Sequence, residues 1–320
     1  MIKTKLSIAN NIMKGLVYKS TGNWYDVHTN SHQVYKCSIK GKFRSLGIKS
    51  TNPVAVGDYV FFEITDEKEQ RGVITKIEPR KNYIIRKSVN LSKQSHILAS
   101  NIDYCFLFVT PSNPSTSSLF IDRVLLSTES FGIDTIILFN KIDSYDKDDT
   151  DYIENLYKTY TSIGYQCLKI SVKQKTNIEK VKKYMENNVS VFTGHSGVGK
   201  SSMMNALDSN LNLKTSEISK QNEQGQHTTT FAEMFDFNNG AKVIDSPGIK
   251  GFGLIDIEKN EIGGYFVEIA KLSTHCKFNN CLHLNEPNCA VKSALEANEI
   301  SESRYVNYLS ILNDDENNFR

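Results

Sequence analysis

A glycine-rich stretch at residues 194–201, GHSGVGKS, decides how the rest of this sequence is interpreted. It fits the pattern G-x-x-x-x-G-K-[ST], in which the glycines let backbone amides curl around phosphate groups. The apolar run VSVFT at 189–193 precedes it, and 202–207 can open a helix whose N-terminus attracts negative charge. We therefore predict a nucleotide phosphate site formed by Gly194, His195, Ser196, Gly197, Val198, Gly199, Lys200, Ser201 and Ser202.

Two residues of this loop and one later motif predict a magnesium site. Lys200 is expected to reach the β- and γ-phosphates and to assist catalysis, and Ser201 to bind Mg²⁺. Asp245-Ser246-Pro247-Gly248 follows the apolar run AKVID at 241–245, where P-loop enzymes place a second magnesium-holding acid. A D-x-x-G match alone would indicate a simple turn. After a phosphate loop, Asp245 is better interpreted as a magnesium ligand and Gly248 as a neighbour of the γ-phosphate.

A second motif, Asn140-Lys141-Ile142-Asp143, predicts which base is bound. Guanine presents two adjacent donors, its ring N–H and its amino group, and a carboxylate is a two-pronged acceptor. Asp143 can therefore hold guanine, whereas adenine lacks this pair of donors. Asn140 and the stem of Lys141 are expected to frame the base, and backbone amides at Ser171 and Val172 to reach its oxygen.

The pattern around these motifs is that of an α/β domain. Helix-like segments near 118–131, 151–162 and 177–187 separate short apolar runs, and such alternation predicts a mostly parallel sheet with helices on both faces. The runs are at 102–109, 134–140, 166–171, 189–193 and 241–245.

The order of the motifs is unusual. Common GTPases run from the phosphate loop through a threonine-containing switch and D-x-x-G to N-K-x-D. Here the base motif at 140–143 precedes the phosphate loop, and D-x-x-G comes last. The sequence therefore predicts a circularly permuted P-loop GTPase domain whose switch region leads directly into the C-terminal part.

A polar stretch at 212–230 lies between the phosphate loop and D-x-x-G, and it contains His227, Thr228 and Thr229. As a switch, one of these threonines would complete the magnesium shell when the γ-phosphate is present; as a plain surface loop, the stretch would be disordered. Many GTPases place a water-orienting Gln where this chain has Ile249. We therefore expect slow basal hydrolysis with His227 orienting water, the alternative being that His227 only braces the loop.

Six cysteines occur, and the last three form a metal-binding pattern. The pattern C-x4-C-x-H-x5-C, formed by Cys276, Cys281, His283 and Cys289, predicts a closed, structural zinc site with three thiolates and one imidazole. Disulfides are the rival interpretation, and His275 is an alternative fourth ligand. Isolated cysteines at 37, 105 and 167 lie in apolar runs and are expected to be inert core residues.

Charge is divided unevenly along the 320 residues. Residues 1–96 hold 17 Lys and Arg against 7 acidic residues, a net of +10, so the remainder carries −8 to reach the total of +2. The same segment reads as about five short alternating strands, which indicates an OB-type or SH3-like barrel. Basic and aromatic residues alternate in GKFR at 41–44, which favours RNA binding over a merely solvated lysine-rich surface.

Three domains are predicted: an OB-fold RNA-binding domain at 1–88, the permuted GTPase domain at 89–253, and a mostly helical zinc-binding domain at 254–320. The polar stretch at 90–95 is interpreted as a linker. No apolar run approaches the length of a membrane span, and the N-terminus does not resemble a secretory signal. We expect a cytoplasmic monomer with no membrane partner.

Together these segments resemble the RsgA family of GTPases that depend on the small ribosomal subunit. The resemblance covers nearly the whole chain and is carried by GKFR, NPVAVGD at 52–58, IDRVLL at 121–126, NKID, GHSGVGKSS, HTTT, DSPGIKGFGL at 245–254 and CKFNNCLHLNEPNCAV at 276–291. It implies an N-terminal OB-fold, a permuted GTPase and a C-terminal zinc domain. One departure is Gln226, where the family often has Arg. The loss of that positive charge would weaken an RNA or phosphate contact.

The resemblance also implies a function, late maturation of the small ribosomal subunit with GTP hydrolysis stimulated by that particle. The expected partners are the subunit with its rRNA and GTP or GDP, and the expected cofactors are one structural zinc and magnesium with GTP. Two alternatives remain open at this point. The chain could be an RNA-binding checkpoint module that uses GTP only as a binding switch, or a permuted GTPase that acts on the large subunit.

Overall fold

The computed structural model describes residues 12–40, 53–87, 95–208, 211, 232–245 and 257–313. These residues form two compact units. The first contains the described residues up to Ile102 together with 232–236 and 243–245, and the second contains the rest.

Five strands close into a barrel in the first unit. Their order is β1-β2-β3-β5-β4, and β4 returns to pair with β1. All neighbours are antiparallel except β3 and β5, which are parallel. This arrangement is that of an OB-fold, so of the two barrels predicted the OB-type is confirmed. The strands are β1 (Ile12–Ser20), β2 (Tyr25–His28), β3 (Val34–Ile39), β4 (Tyr59–Asp66) and β5 (Arg71–Ile77).

Alternation along each strand explains why this segment forms a barrel. In β4, Val60 and Phe62 are fully buried, while Tyr59 is exposed and Phe61 only partly covered. Successive side chains of a strand point to opposite faces, so one set fills the barrel and the other faces outward. The interior is made by Val17, Tyr25, Val27, Tyr35, Cys37, Val54, Val60, Phe62 and Ile74.

A buried carboxylate fixes the turn that leads into β4. Asp58 is fully buried and forms a two-pronged ion pair with Arg80, with both N···O distances 2.7 Å. It also accepts hydrogen bonds from the Ala55 amide at 2.8 Å and the Ser100 hydroxyl at 2.7 Å. A buried charge is tolerated when it is paired and hydrogen-bonded in this way. Packing and hydrogen bonding thus explain why the motif NPVAVGD ends in an aspartate.

Two further strands follow the barrel in the first unit. β6 (Tyr83–Lys87) pairs antiparallel with β7 (Ser95–Ser100). The linker predicted at 90–95 is therefore wrong at its end, because Ser95 begins a strand and 88–94 connects two paired strands of one unit. The division at 88 and 89, like the three-domain scheme as a whole, stays a prediction.

Four parallel strands form the sheet of the second unit, in the order β10-β9-β8-β11. One helix follows each of the first three strands along the chain, as the alternating pattern predicted. Their near-continuous apolar sequences are those of strands covered on both faces. The strands are β8 (Tyr104–Val109), β9 (Asp134–Phe139), β10 (Gln166–Lys169) and β11 (Val189–Thr193), and the helices are α1 (Ser118–Ser130), α2 (Lys147–Ser162) and α3 (Ile178–Met185).

The remaining elements are short. α4 (Lys200–Leu207) follows the glycine-rich loop, and β12 (Glu233–Asp236) and β13 (Lys242–Asp245) come next. The C-terminal region is helical, as predicted, with α5 (Val267–Ser273), α6 (Ala290–Glu296) and α7 (Glu302–Asn313). In the part of the chain that the structure describes, no helix is long and apolar enough to cross a membrane.

One core joins the C-terminal helices to helix α1. Its buried residues come from α5, α6, α7, the loops between them and the segment just before α5, and Leu126 of α1 is among them. The C-terminal region therefore belongs to the same compact unit as the parallel sheet. Its other buried members are Ile262, Phe266, Ile269, Cys289, Val291, Ala294, Ile300, Tyr308, Ile311 and Leu312.

A pair of glycine substitutions should separate backbone strain from steric clash in the barrel unit. Gly22 and Gly57 have φ of +85° and +94°, and a Cβ at Gly22 would meet no atom within 4 Å. At Gly57 it would lie 2.1 Å from the Ser100 carbonyl oxygen. We expect Gly22→Ala to cost about 1 kcal/mol in the free energy of unfolding from strain alone.

Gly57→Ala should cost about 2 kcal/mol more, because the Ser100 backbone must also move. Denaturant unfolding followed by fluorescence of Trp24, the chain's single tryptophan, measures both variants in the barrel. Equal losses for the two variants would contradict the close approach at Gly57.

Candidate functional site

Three motif loops lie at one edge of the parallel sheet. The glycine-rich loop follows β11, the Asn140–Asp143 segment follows β9, and the Ser171-Val172 segment follows β10. Parallel strands end at the same edge, which is where ligands bind in open α/β sheets. The structure thus brings together the phosphate and base motifs that the sequence placed about 50 residues apart.

The glycine-rich loop requires glycine for a steric reason at its end. Gly199 has φ of +103°, and a Cβ there would lie 2.4 Å from the Asn140 side-chain nitrogen. Helix α4 starts at the next residue, and the Met203 amide bonds to the Gly199 carbonyl at 2.9 Å. The loop is therefore held against the base motif while its amides lead into a helix N-terminus, the usual geometry of a phosphate site.

Asn140 connects the three loops. Its side chain is 1% exposed, and its Nδ2 donates to the Val198 carbonyl in the glycine-rich loop at 2.7 Å. Its Oδ1 accepts from the Val172 amide at 3.4 Å. In the structure its side chain has these two protein partners, and its predicted role in framing a base stays a prediction. The residue therefore fixes the spacing of the three loops.

Lys200 lies across the glycine-rich loop. Its Nζ donates to the Gly194 and His195 carbonyls, both at 2.7 Å. The ammonium group is thus placed inside the curve of the loop, where a phosphate group would meet a positive charge. The ring of His195 packs on that of Phe120, with 4.1 Å between the ring centroids.

The base motif is also ordered by its neighbours. Asp143 accepts a 2.5 Å hydrogen bond at Oδ1 from the hydroxyl of Ser171, which itself accepts from the Gln174 amide at 3.0 Å. Lys141 has φ of +68° and donates from Nζ to the Asn113 carbonyl at 2.6 Å. Burial lowers the pKa of Lys141, and the charge of Asp143 opposes that effect. Asp143 therefore presents a carboxylate whose orientation is set before a ligand binds.

The structure describes only some of the other predicted residues. Asp245 is the last residue of β13, and Ser201 and Ser202 lie in the first turn of α4. His227, Thr228, Thr229 and Gly248 lie outside the described residues, as do Gln226, Ile249 and the segment 41–44.

The C-terminal cysteines form a tight cluster. The ligand atoms of Cys276, Cys281, His283 and Cys289 all lie within 4.8 Å of one another. His283 Nδ1 is 3.7 Å from Cys276 Sγ and 3.4 Å from Cys289 Sγ, and the two sulfurs are 3.9 Å apart. A tetrahedral zinc ion would hold such atoms about 3.5–3.8 Å apart. The cysteines are free thiols, which contradicts the disulfide alternative.

The structure also decides between the two candidate histidines. His283 belongs to the cluster, whereas the exposed His275 pairs with the Thr274 hydroxyl and is not among the clustered ligands. Glu286 accepts bonds from the Leu282 and Leu284 amides, both at 2.7 Å, and so holds the loop around His283. The arrangement could hold one metal ion with all four positions filled by protein.

Clustering has an electrostatic consequence that favours a bound cation. Burial together with the neighbouring thiols of Cys289 and Cys276 raises the pKa of Cys281 to about 12. Three thiolates this close repel one another, and a divalent cation removes that repulsion and deprotonates them.

The structure contains a buried ion network that was not predicted from the sequence. Arg304 of α7 is 2% exposed; it pairs with Asp122 of α1 and, at 2.7 Å, with Glu268 of α5. Asp122 lies in IDRVLL, a segment noted for its resemblance and given no role. An acid in the apolar run of an amphipathic helix was the available signal, because such a group must find a partner when buried.

Comparison with known proteins decides the family. The RsgA GTPase family model matches residues 77–255, and the RsgA N-terminal domain model matches 14–74. The chain belongs to the RsgA GTPase family. The small ribosomal subunit biogenesis GTPase RsgA of Flavobacterium psychrophilum is 55% identical over 309 residues, covering 96% of this chain and 95% of that protein. The protein of the same name from Christiangramia forsetii is 54% identical over 309 residues, covering 96% and 98%.

Two solved structures are similar to this fold. YjeQ from Thermotoga maritima has a TM-score of 0.76 at 33% identity, covering 94% of this chain and 97% of that one. YloQ, described as a circularly permuted GTPase, has a TM-score of 0.72 at 29% identity, covering 96% of each chain. The predicted fold class, an OB-fold barrel, a permuted α/β GTPase domain and a helical C-terminal region with a metal cluster, is confirmed.

Thiol reactivity should separate the two sets of cysteines in this RsgA-family chain. Burial raises the pKa of Cys37 and Cys105 to about 12 and that of Cys167 to about 11, so these three should stay unreactive in the folded chain. We expect chelation to release one metal ion and to let the cluster open, so that Cys276, Cys281 and Cys289 separate and become accessible. Separation removes the burial and the neighbouring thiols that raise the pKa of Cys281, so these cysteines should then react with a thiol reagent near neutral pH. Six reactive thiols before unfolding, or three that react without chelation, would contradict this assignment.

Proposed function

We propose that this chain hydrolyses GTP as a late maturation factor of the small ribosomal subunit. It binds the particle in the GTP state, and hydrolysis stimulated by the particle is coupled to release. The observation that carries the proposal is the Asn140 bridge, which assembles base and phosphate loops at one sheet edge. Relatives that match over nearly their whole length at more than 50% identity carry the name small ribosomal subunit biogenesis GTPase, which supports the choice of substrate and particle.

Guanine is the base that the loops after β9 and β10 are suited to bind. The Ser171 hydroxyl occupies one oxygen of Asp143 and leaves the carboxylate able to accept from a ligand. Lys141 runs from the base motif to the Asn113 carbonyl, so its stem lies along one side of that segment. The amides at Ser171 and Val172 are proposed to serve the base oxygen, and residues 194–202 the phosphates.

Two metal sites follow from the donor sets. Magnesium bound with GTP would be held by Ser201 and Asp245, because hydroxyl and carboxylate oxygens suit this hard cation. Zinc is the metal proposed for Cys276, Cys281, His283 and Cys289, since three thiolates and an imidazole select it and leave no open position. The zinc site is therefore structural.

Catalysis is proposed to depend on groups near the γ-phosphate. Lys200 would stabilise charge on the β- and γ-phosphates, and Thr228 or Thr229 would complete the magnesium shell. His227 would orient the attacking water, because Ile249 has no group that could do so. Contacts with the particle would order these groups and thereby stimulate turnover.

The barrel offers a surface that suits RNA. Lys14, Phe61 and Lys76 are cross-strand neighbours on the outer face of β1, β4 and β5. The Lys76 ammonium lies 5.7 Å from the Phe61 ring centroid, and that of Lys14 lies 5.1 Å from the centroid of Tyr59, which is 40% exposed. Aromatic rings stack on bases while lysines neutralise phosphates, so this face supports the rRNA contact and a salt-dependent affinity.

We retain the three-domain division of the function, with RNA binding at 1–88, GTP hydrolysis at 89–253 and zinc binding at 254–320. The chain is proposed to act as a cytoplasmic monomer. The checkpoint alternative, in which GTP is only a binding switch, uses the same loops and barrel and differs in turnover alone. A permuted GTPase of the large subunit is disfavoured by the names of the relatives.

GTP turnover measured with purified subunits tests the function. We expect small subunits to raise turnover above a slow basal rate, and large subunits to have no effect. His227→Ala should lower the stimulated rate by about 100-fold, the usual contribution of a group that assists water attack. Nucleotide-dependent binding without stimulated turnover would favour the checkpoint alternative, and stimulation by large subunits would overturn the proposal. Full stimulation of the His227→Ala chain would contradict the catalytic role of His227 and leave the rest of the proposal unaffected.

Base recognition is tested by Asp143→Asn. The Ser171 hydroxyl can still donate to the new amide oxygen, which directs the amide nitrogen towards the base. That nitrogen repels the amino group of guanine but donates to the corresponding carbonyl of xanthine. We expect GTP affinity to fall by about 10- to 100-fold and XTP affinity to rise. Unchanged GTP affinity would exclude Asp143 from base binding, and Asp146→Asn, in the exposed cap of α2, is the matched control.

A further inference from the structure

The loop that carries the metal-binding histidine is fastened to α7 by two tyrosines. The Tyr305 hydroxyl donates to the His283 carbonyl at 2.6 Å, and the Tyr308 hydroxyl donates to the Leu282 carbonyl at 2.9 Å. Both acceptors lie within the loop that brings Cys281, His283 and Cys289 together. The position of α7 is thus tied to the conformation of the metal cluster.

The same helix is fastened to α1 by buried polar groups. Arg304 and Asn307 both donate to the Asp122 carboxylate, the latter at 2.6 Å, and Asn307 also donates to the Ser118 hydroxyl at 3.1 Å. The Tyr160 hydroxyl of α2 donates to Asp122 at 2.7 Å. With so many buried partners around one carboxylate, α7 and α1 cannot shift independently without breaking charged hydrogen bonds.

The other side of α1 touches the phosphate loop. Phe120 packs its ring on that of His195, with 4.1 Å between the centroids and 31° between the planes. Phe120 and Asp122 are two residues apart, so they lie about 200° apart around the helix. One face of α1 therefore receives α7 while the opposite face supports the glycine-rich loop.

We propose that α7 and α1 connect the metal cluster to the phosphate loop, so that Tyr305, Tyr308 and Phe120 are positioning residues for nucleotide binding. The metal cluster would keep α7 in place, α7 would keep α1 in place, and Phe120 would keep His195 and the loop in the phosphate-binding conformation. The inference rests on the proposed GTP site, and it adds a role in nucleotide affinity for a C-terminal region whose metal site was predicted to be structural.

A double-mutant cycle in the full-length chain tests the connection. One arm is Tyr305→Phe with Tyr308→Phe, which removes two hydroxyls and keeps both rings; the other arm is Phe120→Leu. The readouts are equilibrium affinities for GDP and a non-hydrolysable GTP analogue, together with metal content and thermal midpoint. Each arm should weaken affinity about threefold to tenfold with metal content unchanged. The combined variant should be no weaker than the weaker-binding arm, because both changes break one connection.

Tyr184→Phe is the matched control, since it removes a hydroxyl that bonds to Gln166 in the same unit but away from this connection. It should bind nucleotide as the wild type does. If the tyrosine arm loses its metal or fails to fold, Asp122→Asn replaces it, because that change keeps the side-chain shape and removes the charge that holds α7.

The outcomes separate this inference from the proposed function. Nucleotide affinities within twofold of the wild type in folded, metal-containing variants would overturn the inference, as would fully additive losses. If the wild-type chain binds GDP and the variants bind it equally well, the inference is wrong but the proposed function is unaffected. A wild-type chain that binds no guanine nucleotide overturns the proposed function and this inference with it.

Discussion

The nucleotide site depends on one buried amide. Asn140 donates to the phosphate loop and accepts from the loop after β10, while its own backbone continues β9. If its two side-chain hydrogen bonds were removed, the Val198 carbonyl and the Val172 amide would lose these partners. Each unsatisfied buried group costs about 1–3 kcal/mol. The same side chain excludes any Cβ at Gly199. Three loops from three strands thus have a common spacing that exists without a ligand.

A second constraint joins the C-terminal helices to this site. Burial favours the neutral form of Arg304, but Asp122 and Glu268 outweigh it and raise the pKa of the guanidinium. Burial raises the pKa of Asp122, and the charge of Arg304 together with hydrogen bonds from Tyr160, Asn307 and Arg304 opposes that effect. Buried ion networks add little net stability over apolar packing, yet breaking one partner costs about 3–5 kcal/mol. The network therefore specifies one docking position for α7 on α1.

Local patterns made most of the fold predictable, and long-range contacts made the rest unpredictable. Strand alternation predicted the five strands of the barrel, and the spacing of Cys276, Cys281, His283 and Cys289 identified the metal cluster. The hairpin of β6 and β7 was missed because its second strand begins in a polar stretch whose pairing partner lies upstream. Asp122 and Arg304 are 182 residues apart, so no periodicity could have paired them. The bridge that Asn140 makes between the loops was not predicted, because motif spacing reveals a residue's neighbours in sequence but not its hydrogen-bond partners.

Circular permutation is compatible with this site because a parallel sheet defines its binding edge by strand direction, whatever the chain order. Each loop follows the carboxyl end of its own strand, so N-K-x-D after β9 and the phosphate loop after β11 meet in either order. The order of the motifs along the chain does change which other parts of the protein are joined to the two ends of the sheet. Here the barrel precedes β8, and α5 to α7 follow the D-x-x-G segment that starts at Asp245. The C-terminal region is thus joined to the sheet by the chain after Asp245 and is also held on α1 through Asp122, so two separate attachments fix its position in the unit.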